Sequence, residues 1–224
     1  GLIGLVIVVV VGIVGGVAYF KNANAPTPTE AQVRDDSHIT GATGAAVTLV
    51  EFGDFQCPAC GQAEPIIEQI RRDYADKSFR FVFRNYPLSI HPNAPAAAEA
   101  AEAAGAQDKY WEMHDALYAS QTAWADISDP TSLFTSYAKQ VGVSDVNKFT
   151  NEVKSHAYAA TVRADQKDGD SLNVQVTPTF FLNGVKLEGV QSYDDLKSRI
   201  DALLAAEPTQ QSTTSGQPSD TEGQ

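Results

Sequence analysis

The sequence predicts an α/β domain with a strand–helix–strand opening, a block of helices, and a strand–strand–helix ending. Three observations carry this. Two short β-rich runs, Val47–Phe52 and Phe79–Asn85, flank an amphipathic stretch of helical length. Helical spacing of apolar residues then dominates residues 92–169. Finally, two apolar runs meet at Asn183-Gly184 ahead of a last amphipathic segment.

Each element has a local reason. VTLVEF (47–52) has the length and residue types of a buried strand. From Cys57 to Tyr74, Ile66, Ile67, Ile70 and Tyr74 share one helix face, and Pro65 is expected to kink that helix. FRFVFRN (79–85) alternates apolar residues with Arg, so strand, helix and strand form a βαβ unit with parallel pairing. Pro92–Gly105 is Ala-rich with prolines only in its first turn, and Gln107–Ala119 follows with Tyr110, Met113, His114 and Leu117 at helical spacing. Asp129 is expected to cap the next helix with Pro130 at its first position, and Gly142 to end it. Ser144 is expected to cap another, running to about Gly169 with a break. Asn183-Gly184 between TFFL and VKLE predicts a type I′ hairpin, because both turn residues must adopt positive φ. Ser192–Asp195 fits a capping box ahead of a final helix faced by Leu196, Ile200, Leu203 and Leu204.

The ends read differently. Leu2–Phe20 is uncharged and almost wholly apolar; as a helix it spans about 28 Å, close to the ~30 Å hydrocarbon core of a bilayer. Residues 1–21 are therefore expected to form a transmembrane anchor or uncleaved signal, although Ala23-Asn24-Ala25 also fits a cleavage pattern. Residues 22–38 are expected to form a polar linker, 39–207 the folded domain, and 208–224 a disordered tail with no large apolar residue.

Composition narrows the function. The 224 residues are 43% hydrophobic, enough for a core, and the formal net charge of −12 disfavours nucleic acid as a partner. Both cysteines lie in Cys57-Pro58-Ala59-Cys60, at the first turn of the helix that follows the first strand. Helix-terminal N–H groups and the macrodipole favour a thiolate there. Cys57 is the expected nucleophile and Cys60 the buried resolving thiol. Zinc would need two more ligands, and His38, His91, His114 and His156 supply no closely spaced pair. An inert disulfide closing so short a loop would add little stability. Next to a βαβ pattern, C-x-x-C therefore favours redox use.

The runs EFGDFQCPAC, FRNYPL, HPNAPAAAEAAEAAG…YWEMHDALY and VTPTFFLNG, in this order, resemble the DsbA-like branch of the thioredoxin superfamily over about Ala45–Leu204. The resemblance implies a thioredoxin-like fold with a helical insertion at about 92–172. It implies that Thr177-Pro178 is a cis-proline loop against the cysteines, able to pair with an extended substrate segment. It also implies that Glu51, six residues before Cys57, is a buried carboxyl that takes the Cys60 proton. Pro58 would touch substrate beside Thr177. Asp54 and Gln56 are expected to be structural or rim residues, and His91 and His114 surface or core histidines rather than catalytic groups. One departure is Pro-Ala between the cysteines, where strong oxidants of the family carry Pro-His.

The expected protein is a membrane-anchored, extracytoplasmic thiol–disulfide oxidoreductase that introduces disulfides into reduced or unfolded secreted proteins. A membrane redox partner would reoxidise it, and no metal or organic cofactor is implied. A disulfide reductase or isomerase, or a non-enzymatic thioredoxin-fold chaperone, are the alternatives.

Overall fold

The computed structural model describes residues 29, 31–189 and 192–206; the expected membrane segment and the tail from 208 lie outside them. Among the described residues, no helix is long and apolar enough to cross a membrane.

Among the described residues, five strands form one mixed sheet: β1 (His38–Gly41), β2 (Val47–Gly53), β3 (Phe79–Asn85), β4 (Thr179–Leu182) and β5 (Val185–Lys186), in the spatial order β1-β3-β2-β4-β5. β2 and β3 are parallel, as the βαβ pattern requires, and the crossover between them is α1 (Pro58–Asp73). That helix contains Pro65 in its interior. β4 pairs antiparallel to the other side of β2, so β2 lies in the middle of the sheet.

Between β3 and β4 run the inserted helices: α2 (Ala94–Gly105), α3 (Tyr110–Ala119), the single-turn α4 (Gln121–Trp124), α5 (Thr131–Gln140), α6 (Val146–Lys154) and α7 (Ala159–Ser171). The last helix, α8 (Tyr193–Ala206), returns to pack on α1. Alternation along β2 divides the interior. Val47 and Leu49 face the large core shared with α1, α8 and the inserted helices, whereas Val50 and Phe52 face a smaller cluster with Val82, Val174 and Phe181. Parity puts Glu51 on the same face as Leu49, under α1.

Local signals held with small displacements. Asn183 and Gly184 adopt φ of 45° and 85°, the pair of positive values a type I′ turn needs. The Asp129 carboxylate accepts the Thr131 N–H at 2.9 Å, although the first turn of α5 begins one residue later than expected. Asp145, not Ser144, caps α6 by accepting from Lys148 N at 2.8 Å. Ser144 Oγ is instead drawn to Gln107 Oε1 at 2.9 Å. The expected break in that long helix falls at 155–158, where His156 has φ of 55°.

Two expectations need correction. His38–Gly41 is an edge strand antiparallel to β3, which no periodicity announces in four residues. The polar stretch before it is not a free linker either. Gln32 is 2% exposed, Arg34 pairs with Asp165 and Asp168, and Arg84 donates to the carbonyls of Ala31 and Gln32. Residues 31–38 are held by charges and carbonyls of the domain, so the packed unit begins before Ile39.

Candidate active site

The site forms where β2 ends and α1 begins. Cys57 is the N-cap of α1, with extended backbone (φ −68°, ψ 121°), and Pro58 takes the first helical position, where a missing N–H costs nothing. Cys60 lies one turn on and faces the core. Both carry free thiols. Pro58 and Ala59 are exposed. Cys57 is recessed at 7% exposure, less open than the sequence implies, yet more accessible than Cys60 at 1%.

Residues far along the chain complete the mouth. The Thr177-Pro178 peptide is cis, and the Thr177 carbonyl oxygen lies 3.4 Å from Cys57 Sγ. Val176, just before it, is 66% exposed. From the inserted helices, Gln121 Nε2 donates to the carbonyls of Phe55 (2.7 Å) and Cys57 (3.0 Å). Gly61 makes that approach possible, since a Cβ there would meet Gln121 Oε1 at 2.6 Å. Asp54, fully buried, accepts from Gln56 N, Leu88 N and His91 Nδ1. Gln56 in turn donates to the Ala125 carbonyl and accepts from Asn93 N. Asp54, Gln56 and His91 thus brace the loop. Gln121 was not visible in the sequence, because it stands alone on a four-residue helix and belongs to no motif.

The two thiols are driven apart. The Cys57 thiol is lowered to about 5, chiefly by the hydrogen bond from the Cys60 side chain. The Thr177 side chain and the N–H groups of Cys60 and Ala59 lower it further, against desolvation. The helix-terminal N–H groups therefore add to the lowering that the Cys60 side chain leads. Burial pushes the Cys60 thiol well up, and its hydrogen bond to Cys57 and the nearby Glu51 add to this. Glu51 is 1% exposed, its Oε2 has no hydrogen-bond partner, and burial followed by the charges of Glu64 and Cys57 raises its carboxyl well above the usual range. Cys57, Cys60, Glu51, Pro58, Thr177 and Pro178 are all brought to one place.

A second cluster lies behind α1. Glu64, His114 and Asp115 offer donor atoms within 4.8 Å of one another. Arg71 Nη1 already occupies this cluster, 2.8 Å from Asp115 and 3.6 Å from Glu64. Its cation is a guanidinium, which disfavours a metal ion there. His114 is fully buried, and desolvation lowers its pKa against the opposing pull of Asp115.

Together the fold and this pair of unequal thiols define the class: a DsbA-like thiol–disulfide oxidoreductase domain of the thioredoxin superfamily. A family model described as Thioredoxin matches residues 34–202, and the chain belongs to that family. Among solved structures it is similar to oxidised BdbD from Bacillus subtilis, at 26% identity and a TM-score of 0.70, covering 81% of this chain and 97% of that one. It is similar in fold to α-DsbA1 from Wolbachia pipientis, at 19% identity and a TM-score of 0.69 over 79% and 96% of the two chains. Among curated proteins it is 40% identical over 172 residues to Na(+)/H(+) antiporter NhaA 1 of Salinispora arenicola (strain CNS-205), covering 76% of this chain and 25% of that protein. It is 39% identical over 173 residues to Na(+)/H(+) antiporter NhaA 3 of Salinispora tropica, covering 77% of this chain and 25% of that protein. The chain thus spans about a quarter of the length of the curated relatives it matches.

Proposed function

We propose that this chain is an extracytoplasmic oxidant that introduces disulfides into reduced secreted or envelope proteins. The observation that carries this is the division of the two thiols: Cys57 is held as a thiolate and Cys60 as a buried thiol. A stabilised thiolate favours the reduced enzyme, which makes its disulfide a stronger oxidant. A substrate thiolate attacks Cys57 Sγ, the Cys57–Cys60 bond breaks, and Cys60 leaves. Glu51, held protonated by burial, gives Cys60 its proton and takes it back when the disulfide re-forms. A second substrate thiol then releases the oxidised product.

The Thr177-Pro178 loop supplies the docking edge. An extended substrate segment pairs with its backbone, with Pro58 and the exposed Val176 against the neighbouring side chains. A membrane redox partner returns the dithiol to disulfide, without a metal or organic cofactor. The apolar run Leu2–Phe20 supports membrane attachment, as does similarity to part of chains named antiporters. Oxidising use of the pair supports a compartment outside the cytosol.

Measuring the reduction potential in glutathione buffer tests the direction. We expect a value above about −180 mV; one near about −270 mV would make the protein a reductase instead.

A further inference from the structure

Asp54 reaches both cysteines through its main chain. Its carbonyl oxygen accepts the Cys57 N–H at 3.0 Å, closing a four-residue turn that ends at the N-cap of α1. Its N–H acts on the Cys60 thiol, lowering it against the burial that leads in raising it. The Asp54 side chain fixes this turn. Oδ1 accepts the Gln56 N–H at 2.7 Å, an Asx turn nested in the larger one. Oδ2 is held from outside the turn, by Leu88 N at 2.8 Å and His91 Nδ1 at 2.7 Å, both on the loop between β3 and α2.

A carboxylate suits this place and an amide does not. Among the described residues, the groups that reach it are three N–H donors, and an Asn would turn its own NH2 toward one of them. Burying a carboxylate completely costs free energy, which these donors offset. Leu88 gives a main-chain N–H, which any side chain there would leave in place. His91 is the one side chain of the three donors, so the outer hold on Asp54 depends on its identity.

We propose that His91 is a positioning residue for the redox pair: by holding Asp54 it keeps Cys57 where Cys60 and Thr177 stabilise its thiolate, and so raises the reduction potential of the site. The inference rests on the exchange reading above and adds a device that sets its direction. The Cys60 side chain leads in lowering the Cys57 thiol, and the Thr177 side chain and the first N–H groups of α1 add to it. Each of these bonds needs the sulfur at one place, because hydrogen bonds weaken steeply with misalignment. The turn from Asp54 to Cys57 sets that place. In the disulfide both sulfurs are neutral and covalently tied, so a loosened turn costs the oxidised form less. The reduced form loses more, and the potential falls.

The test is the reduction potential in glutathione buffers at pH 7, with the alkylation midpoint of Cys57 as a second reading. His91→Ala should lower the equilibrium constant for reduction about tenfold, a fall of about 30 mV, and raise the midpoint by about one pH unit. Asp54→Asn should do the same. His91→Asn, whose side-chain amide can donate from the place of Nδ1, should recover most of both. Phe149→Leu, a core change on α6, should lower stability and leave the potential unchanged, because it weakens both redox states equally. Wild-type potential and midpoint in His91→Ala and Asp54→Asn would overturn the proposal while leaving exchange intact. So would an equal fall in His91→Asn, which would deny the hydrogen bond its role, or a fall of the same size in Phe149→Leu. A wild-type disulfide inert to thiols would sink the exchange reading and the proposal with it.

Discussion

Gln121 Nε2 lies 3.0 Å from the carbonyl oxygen of Cys57 and 2.7 Å from that of Phe55, so the helical insertion holds the backbone that carries the nucleophile. Gln121→Ala removes both bonds and deprives the Phe55 carbonyl of its amide donor, while the Cys57 carbonyl keeps the Gly61 N–H at 3.1 Å. We expect a loss of about 1–3 kcal/mol in urea unfolding, together with slower exchange. Gly61→Ala should behave similarly, because its new Cβ would push Gln121 away. Wild-type stability and rate in both variants would show that the insertion does not brace the loop.

Cysteine reactivity should be sharply unequal. In the reduced protein, alkylation of Cys57 by iodoacetamide should rise with pH to a plateau, with a midpoint near 5. Cys60 should resist alkylation at neutral pH, since burial both raises its pKa and blocks access. Mixed with oxidised glutathione, Cys60→Ser should accumulate a Cys57–glutathione mixed disulfide as one glutathione thiolate leaves, visible by mass spectrometry, and Cys57→Ser should form none.

The lowered Cys57 thiol also sets a pH dependence of stability. Its folded value of about 5 lies below the ~8.5 of a free cysteine. The stabilisation is therefore complete above about 8.5 and is lost as pH falls to about 5. Reduced wild type should exceed Cys57→Ser in unfolding free energy at pH 7.5, and most of that advantage should be gone at pH 4.5. A constant difference across this range would exclude a depressed thiol.

Glu64 acts with the opposite sign. Its carboxyl is raised from 4.5 to about 8, so its favourable contribution is present below 4.5 and is lost as pH rises to about 8. Glu64→Gln should leave unfolding free energy nearly unchanged at pH 4 and stabilise the domain by about 1–3 kcal/mol at pH 9. Thermal unfolding at the two pH values measures this directly.

Arg84 is wholly buried and pairs with Asp165 at 2.8 Å and Asp168 at 2.6 Å, while stacking over Phe52. Arg84→Met should cost about 3–5 kcal/mol, because two carboxylates lose a buried partner. Arg34 shares those acids from the N-terminal segment and is more exposed. Arg34→Ala should cost about 1 kcal/mol or less and make residues 31–37 more open to proteolysis. Equal protease resistance would show that other contacts hold the segment.

Local chemistry alone determined much of this protein. The residue types of 47–52 and 79–85, the helical period between them, the Asn-Gly turn and C-x-x-C at a helix start each act through neighbours a few positions away. Those elements formed where the sequence places them. Tertiary structure decided what depends on distant partners. β1 exists because β3 offers an open edge to His38–Gly41, and the polar segment before it is ordered by acids from α7. Thr177 and Gln121 reach Cys57 across 120 and 64 residues. The ionisation of Cys57, Cys60, Glu51 and Glu64 follows from burial and from each other's charges, which exist only once the chain has closed around them.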